Sequence, residues 1–166
     1  VYAPLTVSGL VIGFNIERVP TDASGRVVDP AEQTIAATRV TTLNLTPRLV
    51  AKLLTQSYAT PFYGTRPASY AWVNAHPIDI TVDPDFLQFN PEFTVMTVGS
   101  RRNTSALTVQ ASGSDAALAV WKWILADPEA KAWLAGAPDP WGMKVNPLYN
   151  TTSANPSGAP FAAPVP

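Results

Sequence analysis

Proline is the residue that most limits what this chain can fold into. The sequence holds 17 prolines among 166 residues, and a proline breaks a helix interior or removes a hydrogen-bond donor from a sheet. Five of them fall at positions 61, 67, 77, 84 and 91. We therefore predict a proline-rich insertion over residues 59–92 that contains short helices, because a connection of that length without secondary structure is uncommon.

Proline also marks where helices begin. The pairs Thr46–Pro47, Asp83–Pro84 and Asp127–Pro128 each place a capping side chain directly before a proline, which is the favoured order at a helix N-terminus. The sequence therefore predicts helices over about 47–58, from residue 83 to residue 89, and over 128–135. Gly136 is expected to stop the last of these.

Two further helices are predicted without such a pair. A short helix is expected over residues 67–75, and a longer one over 114–126 with Ser114 as its N-cap. Helical spacing assigns four residues of the longer helix to the buried face, namely Leu118, Trp121, Ile124 and Leu125. Trp123 falls elsewhere on the wheel, so we predict that it is partly exposed. In the segment that follows, Trp141 is predicted to be an apolar anchor.

Strand-like segments alternate with these helices. Residues 5–16, 41–45 and 93–98 are rich in β-branched and aromatic residues, which is typical of strands, and residues 108–111 form a shorter candidate. Strands that alternate with helices indicate an α/β domain. We place this domain at residues 1–150 and interpret the Pro-, Ala- and Ser-rich residues 151–166 as a tail or linker.

Composition excludes several classes of partner. The net charge is −1, from 11 basic and 12 acidic residues, so no broad positive field exists to attract nucleic acid or an anionic membrane. The chain has no cysteine, which rules out disulfides and thiolate metal sites and is compatible with export. No apolar run approaches the ~20 residues of a membrane span. Val1 opens directly into strand-like sequence, so we expect a piece of a longer protein.

One polar segment has the composition of an anion site. Between the predicted strand 93–98 and the helix at 114 the sequence places Ser100, Arg101, Arg102, Asn103, Thr104 and Ser105. Arginine offers a planar fork that matches an oxyanion, and a strand end that turns toward a helix presents free N–H groups. The alternative is a solvated turn in which both arginines face water or pair with nearby acids.

The remaining polar residues give weaker signals of chemistry. His76 is the only histidine, and no partner stands at ligand spacing, so we interpret it as a loop or capping residue. Asp79, Asp83 and Asp85 alternate, which suggests calcium, but the spacing of an EF-hand is absent. Helix capping explains Asp83 more simply. Nothing indicates a catalytic group, a metal or a cofactor.

Two stretches carry a resemblance to a known family. Residues 5–16 end in the step Phe14–Asn15, and LTPRLVAKL follows over residues 45–53. The pair resembles the solute-binding proteins of phosphate ABC transporters, in the class II periplasmic-binding-protein superfamily. An Asn–Pro step before the strand at 93–98 is similar to the same family. The likeness covers roughly residues 1–16 and 41–135, and it is greatest to the large secreted actinobacterial members.

The resemblance implies a fold and a role. The fold would be a three-layer α/β lobe with a short mixed sheet, and the role a non-catalytic, extracytoplasmic lobe that binds inorganic phosphate or a similar oxyanion. Ligand residues would be Ser100 to Ser105 at the family's arginine and hydroxyl positions. Ser8 and Gly9 could add backbone donors on the hinge side, but a strand glycine needed for packing is the favoured explanation of Gly9. The implied partners are a transporter permease or the rest of a larger parent chain.

A second interpretation comes from a different class of protein. The segment after the strand at 93–98 lacks the two glycines and the acidic residue of the family's ligand loop. Such a chain could be a secreted or cell-surface structural or adhesive domain that has lost ligand binding and uses surface aromatics and its proline-rich tail. The paired Arg101 and Arg102 favour the solute binder, and the missing glycines favour the structural domain.

Overall fold

Helices make up the regular structure in the part of the chain that is described. The computed structural model describes residues 11–17, 38–59, 68–94, 107 and 115–149. These contain four α-helices, α1 (Pro47–Leu54), α2 (Pro84–Leu87), α3 (Asp115–Ala126) and α4 (Pro128–Leu134). 3-10 helices lie at Ala68–Ala75, Ile80–Val82, Pro91–Thr94 and Pro147–Tyr149.

The three predicted proline starts are confirmed. The Thr46 side chain accepts from the Leu49 N–H at 3.3 Å, Asp83 accepts from the Asp85 N–H at 3.0 Å, and Asp127 accepts from the Ala130 N–H at 2.7 Å. In each case the carboxylate or hydroxyl satisfies a donor that the first helical turn leaves free. Local sequence therefore sets where these helices begin.

Helix ends follow the sequence less closely. α1 stops at Leu54, four residues before the predicted end, because Gln56 adopts a positive φ of 50°. The Ser57 N–H then bonds back to the Lys52 carbonyl at 3.0 Å, which closes the helix in a tight turn. The two helices predicted inside residues 59–92 are present as Ala68–Ala75, in 3-10 form, and as α2, which ends two residues early.

The predicted α/β lobe with a mixed sheet is wrong for the part of the chain that is described. Those residues hold no strand, and their one β-type pairing is an isolated antiparallel bridge between Glu17 and Arg39. Residues 11–16 and 41–45 have no regular structure, and Pro91–Thr94 forms a 3-10 helix where a strand was expected to start. Residues 5–10, 95–98 and 108–111 lie outside the described residues.

The failed strand at residue 93 has a physical explanation. β-propensity reports how well a side chain fits a half-buried surface, and such a surface need not be a sheet. Phe93 is 3% exposed and packs edge-on against Phe86, with ring centroids 4.9 Å apart. Its N–H bonds to the Asn90 carbonyl at 3.1 Å, so the aromatic side chain is buried within a helical turn.

Helix α1 is central to the core because it is apolar on two sides. Leu49 and Leu53 pack into one hydrophobic cluster with Tyr58, Phe86 and Phe93. Val50 and Ala51 pack into a second cluster whose other buried members come from α3, α4 and the segment after α4, namely Val120, Ile124, Ala130, Trp133, Leu134 and Val145. Helical spacing in the sequence predicts that Leu49, Val50, Leu53 and Leu54 share one inward face. Leu49, Val50 and Leu53 are buried as predicted, while Leu54 is half-buried.

The buried face of α3 differs from the predicted one. Ala117, Val120 and Ile124 are buried, and this spacing places them on one stripe of a helix. Of the predicted set only Ile124 is fully buried, since Leu118, Trp121 and Leu125 flank the stripe and are half-buried. Trp123 is 45% exposed, as predicted.

The predicted anchor after α4 is also wrong. Trp141 is 43% exposed, whereas Met143 and Val145 are buried. The reason is a turn around Asp139, whose Oδ1 accepts the N–H groups of both Trp141 and Met143, at 2.9 and 2.8 Å. This turn directs Met143 inward, and its carbonyl accepts the indole N–H of the buried Trp133 at 2.9 Å.

The end of α4 yields a stability prediction. Gly136 has φ 100°, a left-handed conformation, and its N–H bonds to the Trp133 carbonyl at 2.9 Å. We expect Gly136→Ala to lower the free energy of unfolding by about 1 kcal/mol, because a Cβ is strained in that region. Urea denaturation followed by circular dichroism measures the change. Gly13→Ala is the matched control, since a Cβ there meets nothing within 4 Å; equal losses in the two variants would contradict the prediction.

Candidate functional site

A buried lysine is the centre of the largest polar cluster among the described residues. Lys52, on α1, has a fully buried side chain. Its Nζ lies 2.7 Å from Asp83 Oδ2, 2.7 Å from Asp139 Oδ2 and 3.0 Å from Asp85 Oδ2. Nζ donates hydrogen bonds to Asp83 and Asp139, and Asp85 adds a third ion pair to the same ammonium group.

One helical turn earlier, Arg48 extends the cluster toward the surface. Its Nε and Nη2 donate to the two oxygens of Asp85, both at 2.8 Å. The third guanidinium nitrogen, Nη1, pairs with Glu129 at the start of α4. A fork that holds both oxygens of one carboxylate fixes orientation as well as charge. Arg48 and Lys52 therefore connect α1 to α2, to α4 and to the turn at Asp139.

The carboxylates also bind the backbone and a phenol. Asp83 Oδ2 accepts the Tyr58 hydroxyl at 2.9 Å, while Asp83 Oδ1 caps α2. Asp139 Oδ1 accepts two backbone N–H groups in the turn described above. Both oxygens of Asp83, Asp85 and Asp139 thus have protein partners, and the cluster as a whole is an internal structural connection between distant segments.

Burial and neighbouring charges shift the pKa values of three groups in the cluster, Lys52, Asp85 and Tyr58. Burial alone would lower the pKa of Lys52, but Asp83, Asp139 and Asp85 outweigh it and raise that pKa. Burial would raise the pKa of Asp85, yet hydrogen bonds from Arg48 and the charge of Lys52 lower it. Burial and the neighbouring Asp83 raise the pKa of Tyr58 well above 10. A general acid or base needs a pKa near the working pH, and these three shifts all lead away from it.

His76 has a structural environment. It directly follows the 3-10 helix Ala68–Ala75, and its Nδ1 lies 2.6 Å from the Ser57 carbonyl oxygen, so a proton on Nδ1 is donated to that oxygen. The ring meets Trp72 edge-on with centroids 5.1 Å apart. Burial lowers the pKa of His76, which favours the neutral ring at pH 7. The ring therefore joins the 3-10 helix to the end of α1.

The three alternating aspartates are occupied by the protein itself. Asp79 Oδ1 accepts the N–H and the hydroxyl of Thr81, at 2.8 and 2.6 Å. Asp83 caps α2, as predicted, and Asp85 binds Arg48 and Lys52. In the described ranges no group of three or more His, Asp or Glu side chains is arranged to hold a metal ion.

An apolar groove lies between α1 and α3 in the described part of the chain. Its volume is about 390 Å³, and its lining side chains are Ile12, Phe14, Leu43, Leu45, Val50, Ala119, Val120 and Trp123. Phe14 and Trp123 are 39% and 45% exposed. Residues 11–17 are held near this groove by the Glu17–Arg39 bridge and by the Val40 N–H, which donates to the Ile16 carbonyl at 2.9 Å.

The predicted ligand residues Ser8, Gly9 and Ser100 to Ser105 all lie outside the described residues. Leu107, two residues after Ser105, is described, and its N–H donates to the Leu53 carbonyl at 3.3 Å. Leu107 also packs against both hydrophobic clusters. Leu107 therefore lies beside the C-terminal end of α1.

Sequence reasoning missed both the cluster and the groove. Arg48 and Lys52 are four residues apart, so they lie on the same side of α1. The other buried residues of this helix are apolar, and a pair of basic residues among them could have indicated that both side chains are buried. Their partners are 31 to 87 residues away along the chain, so no local spacing identifies them. Trp123 was recognised as partly exposed, but nothing in the sequence placed it opposite Phe14.

Comparisons with known proteins leave the resemblance untested. A scan of protein-family models, a search of curated proteins and a search of solved structures each found no match to this chain. The likeness to phosphate-binding transporter subunits thus stays a prediction from the motifs at residues 5–16 and 45–53. In the part of the chain that is described, no helix has the length and apolarity to cross a membrane.

The buried cluster yields a second prediction. We expect Lys52→Met to lower the free energy of unfolding by about 3–5 kcal/mol, because removing one partner leaves buried carboxylates without compensation. Thermal and urea unfolding followed by circular dichroism measure the loss. Lys122→Met, at an exposed position of α3, removes the same charge and is expected to change stability by less than about 0.5 kcal/mol. Similar losses in both variants would show that Lys52 is not part of a structural cluster.

Proposed function

We propose that this protein is a non-catalytic binding domain of the structural or adhesive kind, and that its groove between α1 and α3 receives apolar side chains of an extended partner segment. The observation that carries the proposal is the groove itself, apolar throughout its described lining and bounded by the exposed Phe14 and Trp123. Contiguous apolar surface of this kind marks an interaction site more often than it marks an idle surface.

The buried charges support a binding role over a catalytic one. Lys52, Arg48 and their carboxylates are used inside the protein, and the cluster lies away from the groove lining. The pKa of Tyr58 is raised and that of Asp85 is lowered, so both are shifted away from neutrality. Burial lowers the pKa of His76, and its Nδ1 lies next to the Ser57 carbonyl oxygen. None of these groups faces the groove, so its chemistry is contact, exclusion of water and shape.

The size of the groove favours an extended segment as its partner. A volume of about 390 Å³ is at the low end for a site that encloses a whole small molecule. It suits a few aliphatic or prolyl side chains, which pack well against aromatic rings at grooves of this type. Phe14 and Trp123 would supply rigid contact area at little cost in conformational entropy.

An extracytoplasmic location belongs to the same proposal. The chain has no cysteine and only 14% charged residues, so its surface depends on Ser, Thr, Asn and Pro rather than on charge. In this proposal, another part of a larger parent chain carries the partner segment or an anchor. This location rests on composition and on the motifs described for residues 5–16 and 45–53.

The groove is tested by removing its exposed tryptophan. We expect a fluorescein-labelled decaproline peptide to bind saturably and Trp123→Ser to weaken that binding about tenfold, since loss of an aromatic anchor costs ~1–3 kcal/mol. Fluorescence anisotropy measures the affinity. Trp141→Ser is the matched control, because Trp141 is 43% exposed but does not line the groove. Equal effects of the two substitutions, or no saturable binding up to millimolar peptide, would contradict the proposal.

A second candidate function is oxyanion binding at residues 100–105. The observation in its favour is in the sequence, which places Arg101 and Arg102 among the hydroxyl and amide side chains of Ser100, Asn103, Thr104 and Ser105. Two arginines with neighbouring hydroxyls could then hold phosphate or a similar anion. In this case the protein would be one lobe of an extracytoplasmic solute binder.

Titration with anions separates the second candidate from the first. We expect calorimetry with phosphate and sulfate to show saturable heat that disappears in the double variant Arg101→Ala, Arg102→Ala. The double variant Lys122→Ala, Lys131→Ala removes the same charge at exposed positions and is expected to bind like the parent. The absence of saturable heat with both anions would contradict the oxyanion proposal and leave the groove proposal unaffected.

A further inference from the structure

The geometry points to an occupant for the apolar groove: the proline-rich residues 156–166 of this same chain. This inference rests on the proposed function of the groove and adds regulation to it. A segment that docks in its own groove would compete with any external partner, so the exposed groove would be available only when the segment is displaced.

The first argument is where the described chain leaves the folded body. Tyr149 packs against the hydrophobic cluster that contains Val50 and Val120, and these two residues also line the groove. The chain therefore leaves the described body at the cluster that also supplies two residues of the groove lining. The 17 residues from 150 to 166, at about 3.1 Å per residue in polyproline II form, reach roughly 50 Å, so length does not prevent docking.

The second argument is chemical complementarity. The segment reads PSGAPFAAPVP and carries four prolines, Phe161, Val165 and no charged residue. Burying it in an apolar groove therefore desolvates no charge. Proline-rich segments lose little conformational entropy when they dock between aromatic rings, and Phe14 and Trp123 supply such rings here.

The third argument is the effect of tethering. A connection of only six residues, 150–155, would hold the segment near the groove at an effective concentration of the order of millimolar. Even weak intrinsic contacts then keep the groove occupied for much of the time. An external partner with similar contacts would bind several-fold more weakly than it would to a free groove.

Site-specific cross-linking tests where the segment lies. The protein has no cysteine, so Ala163→Cys in the full chain provides a unique thiol for a benzophenone maleimide. We expect photo-adducts, mapped by mass spectrometry, on residues 11–17 and 119–123, with lower yield in the added variant Trp123→Ser and unchanged yield in Trp141→Ser. Adducts that avoid these residues, or a yield that Trp123→Ser leaves unchanged, would overturn the inference.

Mixed isotopic labelling identifies the source of the segment. In an equimolar mixture of ¹⁴N and ¹⁵N chains, docking within one chain gives adducts of matched isotope only. Adducts that join the two isotopes would show that a second copy supplies the segment, and this would overturn docking in the same chain.

The decaproline assay separates failure of this inference from failure of the proposed function. We expect the variant Phe161→Ser, Val165→Ser to bind decaproline several-fold more tightly than the parent, because its own segment no longer competes. Equal saturable binding by both would refute docking of residues 156–166 and leave the groove function standing. No binding by either chain would refute the groove function, and the inference with it.

Discussion

The ammonium group of Lys52 is the interaction on which the arrangement of the described chain depends. It lies within 3.0 Å of carboxylates from Asp83, Asp85 and Asp139, and each of these carboxylates organises something else: the start of α2, the position of Arg48, and the turn that buries Met143. These contacts fix the positions of α1, α2 and the segment after α4 relative to one another. The two hydrophobic clusters pack on either side of α1.

Such a cluster specifies structure more than it adds stability. Desolvation of buried ions offsets most of their mutual attraction, and apolar replacements of similar shape are often as stable. The cluster favours one arrangement because the alternatives are costly. A chain that misplaced α2 would leave a carboxylate buried without a basic partner. An assembly of short helices has few long-range hydrogen bonds between backbones, so a polar network supplies the uniqueness that a sheet would otherwise provide.

The sequence predicted those parts of the fold that are governed by local rules. Thr46, Asp83 and Asp127 cap helices through contacts within three residues, and the spacing of Leu49, Val50 and Leu53 identified the face of α1. It could not predict what distant contacts decide. Phe93 was assigned to a strand by its residue type, but packing against Phe86 placed it in a 3-10 turn. Trp141 was assigned to the core, whereas the turn at Asp139 leaves it exposed.

The wide separation of the partners of Lys52 has a consequence for the order in which the chain can acquire its structure. Asp83 follows the lysine by 31 residues and Asp139 by 87, and a chain made from its N-terminus exposes them in that order. A nascent chain that has reached α2 but not α4 holds only part of the charge that α1 requires. The complete set of ion-pair partners of α1 is therefore present only once the chain has been synthesised as far as Asp139.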